Sequence, residues 1–173
     1  MSVFMISDTH FCHSNIIKYC NRPFDTTEEM NNFMIDKWNS VVGIDDTVYM
    51  LGDFCLGTKE DVLSIGTKLN GKKFLIKGNH DRGTNKTYFD AGFEQISSKP
   101  IIYSEFYILS HHPLERIPQG FYNICGHMHP IVNYTTDDPK AFNVGVEANN
   151  YTPIKFEDIQ KVLKTKGVYK IWL

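Results

Sequence analysis

The chain has 173 residues, 42% of them hydrophobic and 13% aromatic, which is enough apolar material to close one core and fits a single domain over residues 1–173. A formal net charge of -2 and an isoelectric point near 6.4 exclude the electrostatic footprint of a protein that grips long nucleic acid or an anionic membrane. No apolar run approaches the ~18 to 20 residues of a membrane span, and no lipidation signal or signal-peptide pattern is present, so a soluble chain is expected.

In chain order, a β-branched and aromatic run from Val3 to Ile6 predicts a strand that stops at Asp8-Thr9-His10-Phe11-Cys12-His13. Thr27 to Val41 has helical spacing behind a Thr-x-Glu start, with Met30, Phe33, Met34, Lys37, Trp38 and Val41 on one mostly apolar face. A strand from Thr47 to Leu51 stops at Gly52-Asp53, and a shorter helix is expected over Lys59 to Leu69. The run Phe74 to Lys77 then stops at Gly78-Asn79-His80-Asp81.

From Glu94 onward strands follow one another with turn-length gaps. Phe106 to Leu109 leads into Ser110-His111-His112-Pro113, and Phe121 to Cys125 into Gly126-His127-Met128-His129. A strand from Phe142 to Val146, a helix from Phe156 to Lys164 and a closing strand from Val168 to Leu173 complete the chain. Strands that first alternate with helices and later succeed one another favour an α/β or α+β fold of two stacked mixed sheets with helices outside. Cys12, Cys20, Cys55 and Cys125 form no CxxC pair, so a reducing, cytoplasmic setting is expected.

All seven histidines fall in the clusters that follow these strands. Asp8, Asp53, Asn79, His111 and His127 each sit just beyond the carboxyl end of a predicted strand, and such ends converge on ligand crevices in open α/β sheets. Imidazoles, carboxylates and a carboxamide without a thiolate pattern suit manganese, iron, zinc, nickel or cobalt, with manganese foremost, rather than a structural zinc knot. Asp8, His10, Asp53, Asn79, His111, His127 and His129 are too many ligands for one open catalytic ion. Two divalent ions ~3.5 to 4 Å apart can share them through a bridging carboxylate, for which Asp53 is the expected residue.

The motifs DxH, GD, GNHD, a single histidine after a strand, and GHxH, in that order over residues 8 to 129, resemble the calcineurin-like metallophosphoesterases. Asn21-Arg22-Pro23-Phe24, and Asn143-Val144-Gly145-Val146 followed by Asn150-Tyr151-x-Pro153, are similar to small bacterial and phage members of that superfamily. The resemblance implies a four-layer α/β/β/α fold. It implies a first ion held by Asp8, His10, Asp53 and His129, a second held by Asp53, Asn79, His111 and His127, and a His80 free of metal.

Two divalent ions against two ligand carboxylates leave a positive site that attracts phosphate, and a water between them would fall toward a pKa of ~7 and attack phosphorus as hydroxide. His80, next to Asn79, is expected near the second ion, where it would stabilise the phosphoryl oxygens or protonate the departing alkoxide. Asp81 either orients His80 or caps a turn. His13, Arg82, His112 and Arg116 are candidate substrate contacts, each with an ordinary reading as a cap, a packed side chain or a solvated charge. His112 also competes with His111 as the ligand if the register shifts.

The leading function is a metal-dependent phosphoesterase acting on a small phosphate ester, a nucleotide-like molecule or a nucleic-acid end. Protein serine/threonine phosphatases share the core motifs, but Phe11 stands where they typically carry glycine. The alternative outside enzymes is a binding module on the same fold.

Overall fold

The computed structural model describes residues 1–129 and 138–168. The strands are β1 (Val3–Ile6), β2 (Thr47–Met50), β3 (Lys72–Ile76), β4 (Phe93–Ser97), β5 (Ile101–Tyr103), β6 (Tyr107–Leu109), β7 (Tyr122–Cys125), β8 (Ala141–Asn143) and β9 (Ile154–Lys155). The helices are α1 (Ser14–Tyr19), α2 (Thr27–Val41), α3 (Lys59–Gly66), α4 (Asn85–Asp90) and α5 (Phe156–Val168).

The strands build two mixed sheets, ordered β4-β3-β2-β1-β9 and β5-β6-β7-β8. In the first, β1 to β4 are parallel and β9 is antiparallel to β1; in the second, β6, β7 and β8 are parallel and β5 is antiparallel. This is the expected pair of mixed sheets with flanking helices.

Alternation along the strands decides which core each side chain enters. Phe4, Ile6, Val48, Met50 and Leu75 join the helices in one core, while Met5, Leu51 and Ile76 meet Tyr107, Leu109 and Ile124 of the second sheet in another. Phe156, Ile159 and Leu163 bring α5 into that second core. Fully burying side chains of this kind stabilises by about 1.5 to 3 kcal/mol each.

Helix α2 forms where it is expected because Thr26 caps it, its hydroxyl accepting from the Glu29 amide at 3.1 Å, and Glu28 and Glu29 sit in the first turn. It buries Met30, Met34, Ile35 and Trp38, a stripe at i, i+4 and i+8. Phe33 and Val41, expected inside, are 37% and 39% exposed, because the stripe is centred one position round the helix. Phe33 instead packs beside Phe24, with ring centroids 5.2 Å apart, and under Lys37. Trp38 is fully buried and its indole donates to the Asn70 carbonyl at 3.0 Å. Truncating a side chain of this size costs about 3 to 5 kcal/mol.

Three expectations shift. The strand expected over Phe142 to Val146 ends at Asn143 and gives way to a 3-10 turn, Val146–Asn149. Val168 closes α5 instead of opening a strand, and the rest of the expected final strand lies outside the described residues. Short elements α1, α4 and β9 appear where no element was expected, and β4 and β5 supply strands after Gly92 for which the sequence sets no bounds. Among the described residues, no helix is long and apolar enough to cross a membrane.

Candidate metal centre

Five of the seven predicted ligands lie two or three residues past a strand: Asp8 after β1, Asp53 after β2, Asn79 after β3, His111 after β6 and His127 after β7. Main chain splices these loops together. The Asp8 amide donates to the Gly52 carbonyl at 3.0 Å, the His10 amide to Asp53 at 2.9 Å and the Gly126 amide to His111 at 2.9 Å. Ser7 bridges to Gly145, so the two sheets meet at the rim of the pocket.

The glycines of two motifs exist for close approach. Gly52 has φ +92°, and a Cβ there would lie 2.6 Å from both the Gly78 nitrogen and His111 Nδ1. A Cβ on Gly126 would lie 2.5 Å from Asp8 Oδ2. Asp8, His10, Asp53, His127 and His129 all have positive φ, a conformation that costs about 1 to 3 kcal/mol per residue and concentrates at functional sites. Aspartate and histidine are among the side chains that tolerate it best.

The donors form two groups that meet at Asp53. His10 Nε2 lies 3.2 Å from His129 Nε2, and His129 Nε2 lies 3.9 Å from Asp8 Oδ1. His111 Nε2 lies 3.0 Å from Asn79 Oδ1 and 3.2 Å from His127 Nδ1. Between the groups, Asp53 Oδ2 is 3.5 Å from His10 Nε2 and 3.4 Å from His111 Nε2. All seven sequence-predicted ligands are thus brought together.

Divalent ions fit this donor set. Asp8 Oδ1 is buried with no hydrogen-bond partner, an expensive position for a carboxylate oxygen unless a cation sits against it. Donor atoms of Asp8, His10 and His129 lie within 4.8 Å of one another, as do those of Asp8, Asp53 and His111. The donors are the oxygen and imidazole set that borderline-hard divalent ions prefer.

Electrostatics follows the same geometry. Burial pushes the Asp8 carboxyl up to about 6, against the pull of His111, His129, the Ser7 hydroxyl and the His127 amide. Burial opposes ionisation of Asp53 too, but the hydrogen bond and charge of His111, the His80 amide and His10 outweigh it and hold the group at about 2. Burial lowers His10 to about 3, and burial with His112 and His111 lowers His127 to about 4, so both offer free lone pairs at neutral pH. Burial is overcome at His129, where Cys20, Glu147 and Asp8 push the imidazole up to about 10. It is overcome likewise at His111, raised by Asp53 and Asp8. Protons there occupy places that cations can take.

The remaining predicted residues separate. The His80 amide donates to Asp53 Oδ1 at 2.9 Å, and its ring lies beside that of His10, with centroids 5.4 Å apart. Asp81 is buried, and its carboxylate accepts from the amides of Asp53, Phe54 and Gly78 and from the Tyr88 hydroxyl. It ties three loop segments together, in keeping with the turn-capping reading, and no contact with the His80 ring stands beside these. His111 is buried and its Nδ1 donates to the Leu51 carbonyl at 2.8 Å, whereas His112 is exposed with its ring 4.0 Å from that of His127. His13 lies 5.5 Å from His10, ring to ring, and Arg82 and Arg116 are exposed.

The sequence alone assigns no role to Arg22, which falls in a segment that carries the family resemblance, or to Glu147, which directly follows one. The signal was present: a charged residue inside Asn21-Arg22-Pro23-Phe24, and another directly after an apolar Val-Gly-Val run. Arg22 is 4% exposed and stands with Glu147 directly behind His129.

Imidazole, carboxylate and amide donors from the ends of two stacked sheets converge on one candidate metal centre of an α/β protein. The sequence model for calcineurin-like phosphoesterases matches residues 1–172, and the chain belongs to that family of metal-dependent phosphoester hydrolases. It is 37% identical to the uncharacterized protein MJ1445 of Methanocaldococcus jannaschii, over 97% of this chain and 94% of that protein. It is 27% identical to the gene 66 protein of Mycobacterium phage D29, over 85% and 88% of the two chains. Among solved structures, the Aquifex aeolicus protein AQ665, described as of unknown function, superposes with a TM-score of 0.73 at 30% identity, over 93% of this chain and 98% of that one. Pseudomonas putida nuclease MPE shares the fold at a TM-score of 0.50 and 19% identity, over 73% and 60%.

Proposed function

We propose that the chain hydrolyses phosphodiesters, and less readily phosphomonoesters, of small nucleotide-like molecules or nucleic-acid ends. The cofactor would be two divalent ions, manganese first among the candidates. Asp8, His10, Asp53 and His129 would hold one ion, and Asp53, Asn79, His111 and His127 the other. The observation that carries this reading is Asp53 Oδ2, placed almost equally from His10 Nε2 at 3.5 Å and His111 Nε2 at 3.4 Å. When bound, such a pair supplies an activated water for in-line attack on phosphorus and neutralises the phosphoryl oxygens.

The chain's own groups do the rest. Asp53 Oδ1 fixes the His80 backbone, which presents the His80 ring beside His10 as the donor of a proton to the departing alkoxide. His80 and Arg82 also line a groove of about 200 Å³ with Cys55, Thr58, Lys59 and Tyr88, a suitable place for the leaving group of a small ester. Asn79, a neutral ligand, keeps the centre positive toward an anionic substrate.

The test is a panel of bis(p-nitrophenyl) phosphate, p-nitrophenyl phosphate and a phosphopeptide, run on metal-stripped protein with manganese, nickel, zinc or magnesium added back. The diester should turn over fastest, with manganese. Preference for the phosphopeptide would make the chain a protein phosphatase. No turnover with any ion would leave a binding module.

A further inference from the structure

Behind His129 lies a charged cluster that the ligand assignment does not use. Glu147 Oε1 accepts from His129 Nδ1 at 3.1 Å and from Arg22 Nε and Nη2 at 2.9 and 2.6 Å. The same guanidinium donates from Nη2 to the Asp8 carbonyl at 2.7 Å and from Nη1 to the Thr9 carbonyl at 2.8 Å. Both charged side chains are removed from water, at 0% and 4% exposure.

Cys20, His129 and Glu147 also bring donor atoms within 4.8 Å of one another, which raises the question of a third cation there. The guanidinium answers it. Glu147 Oε1 already faces a fixed positive charge from Arg22 and a proton on His129 Nδ1, so a further cation would be repelled by the one and would have to displace the other. What the cluster does instead is orient. An imidazole that donates from Nδ1 to a carboxylate must turn its Nε2 lone pair away from it, and here Nε2 faces Asp8 and His10.

We infer that Arg22 and Glu147 are positioning residues for the Asp8 side of the centre, an inference that rests on the two-ion reading above. Glu147 selects the Nδ1–H form of His129. Arg22 fixes Glu147 and, through the Asp8 and Thr9 carbonyls, holds the left-handed turn at Asp8 whose φ is +59°. One five-donor fork thereby locks two of the first ion's ligands in register, a task lysine could not perform with a single ammonium.

The experiment is calorimetric titration of the metal-stripped full chain with Mn²⁺ alone, for the unaltered protein, Glu147→Gln, Glu147→Ala and Arg22→Lys, with thermal melts of each metal-free form. One of two ions should bind ~10- to 100-fold more weakly in Glu147→Ala, less so in Glu147→Gln, while the other ion keeps its affinity. In a His129→Ala background, Glu147→Gln should change Mn²⁺ affinity no further, an outcome that general loosening would not give. Unchanged affinities in the folded Glu147→Gln protein, equal losses for both ions, or a full effect of Glu147→Gln without His129 would each overturn the inference. An unaltered chain that takes up a single Mn²⁺ would sink the two-ion reading instead. The positioning role would then stand or fall on whether Glu147→Gln weakens that one ion.

Discussion

Behind Asp8, His10 and His129 stands a buried ion pair, Arg22 with Glu147, whereas behind His111 stands main chain, the Leu51 carbonyl. The Asp8 group is buried except at half-buried His129; the His111 group is half-buried at His127 and opens to solvent at Asn79. One half of the centre is thus braced by side chains from distant segments and the other by main chain just past β2, in the sheet opposite the one that carries His111. A side-chain brace can be removed by one substitution. A carbonyl brace cannot, so mutation should separate the two halves.

Asp53 is the one donor common to both, and Asp53→Asn should abolish the difference by damaging both at once. Loss of several kcal/mol of transition-state stabilisation corresponds to a ~10⁴-fold fall in hydrolysis of bis(p-nitrophenyl) phosphate with Mn²⁺. A variant that keeps near-normal turnover would remove Asp53 from the bridge. His80 belongs to neither half, so His80→Ala should lower kcat by ~10²-fold while both Mn²⁺ affinities stay put. If calorimetry instead finds an ion lost, His80 is a ligand and the division is wrong.

The smallest effect is the most discriminating. On the Asp8 side an ion must displace a proton from His129, held up at about 10, so its affinity should climb by roughly tenfold per pH unit between pH 6 and 8. Below about 6 Asp8 also carries a proton, and the slope should steepen there. His10 and His127, held at about 3 and 4, contribute no such protons over this range, whereas His111, raised by Asp53 and Asp8, gives the other half a proton of its own to release. Proton release during titration in buffers of different ionisation enthalpy measures the slope directly. A flat profile for both ions would contradict the burial and pairing described for His129.

Legibility in the sequence followed locality. The convergence of candidate donors directly beyond short strands could be read because strand, glycine and donor lie within a few residues, as at Tyr122–Cys125 followed by Gly126-His127. The α2 start was equally local, set by Thr26 and Glu29. Phe33 was misplaced because a face of helical spacing has edges, and only the packing of Ile35 fixes where they fall. Helices α1 and α4 have six residues each, too few to show a period, and β4 alternates weakly because Glu94 and Gln95 are both exposed. The Arg22–Glu147 pair spans 125 positions, and neither residue announces the other. The His80 amide's bond to Asp53 joins positions 27 apart, and neither residue's local pattern shows it.

The left-handed backbone at Asp8, His10, Asp53, His127 and His129 has a practical consequence for anyone measuring this centre. Replacing any of the five with alanine deletes a donor and also installs a side chain poorly suited to that torsion, so the observed loss sums coordination and conformational strain. Asparagine in place of the aspartates isolates the first quantity, and glycine in place of the histidines relieves the second. The gap between alanine and glycine at one position then weighs the contortion that its peptide unit bears.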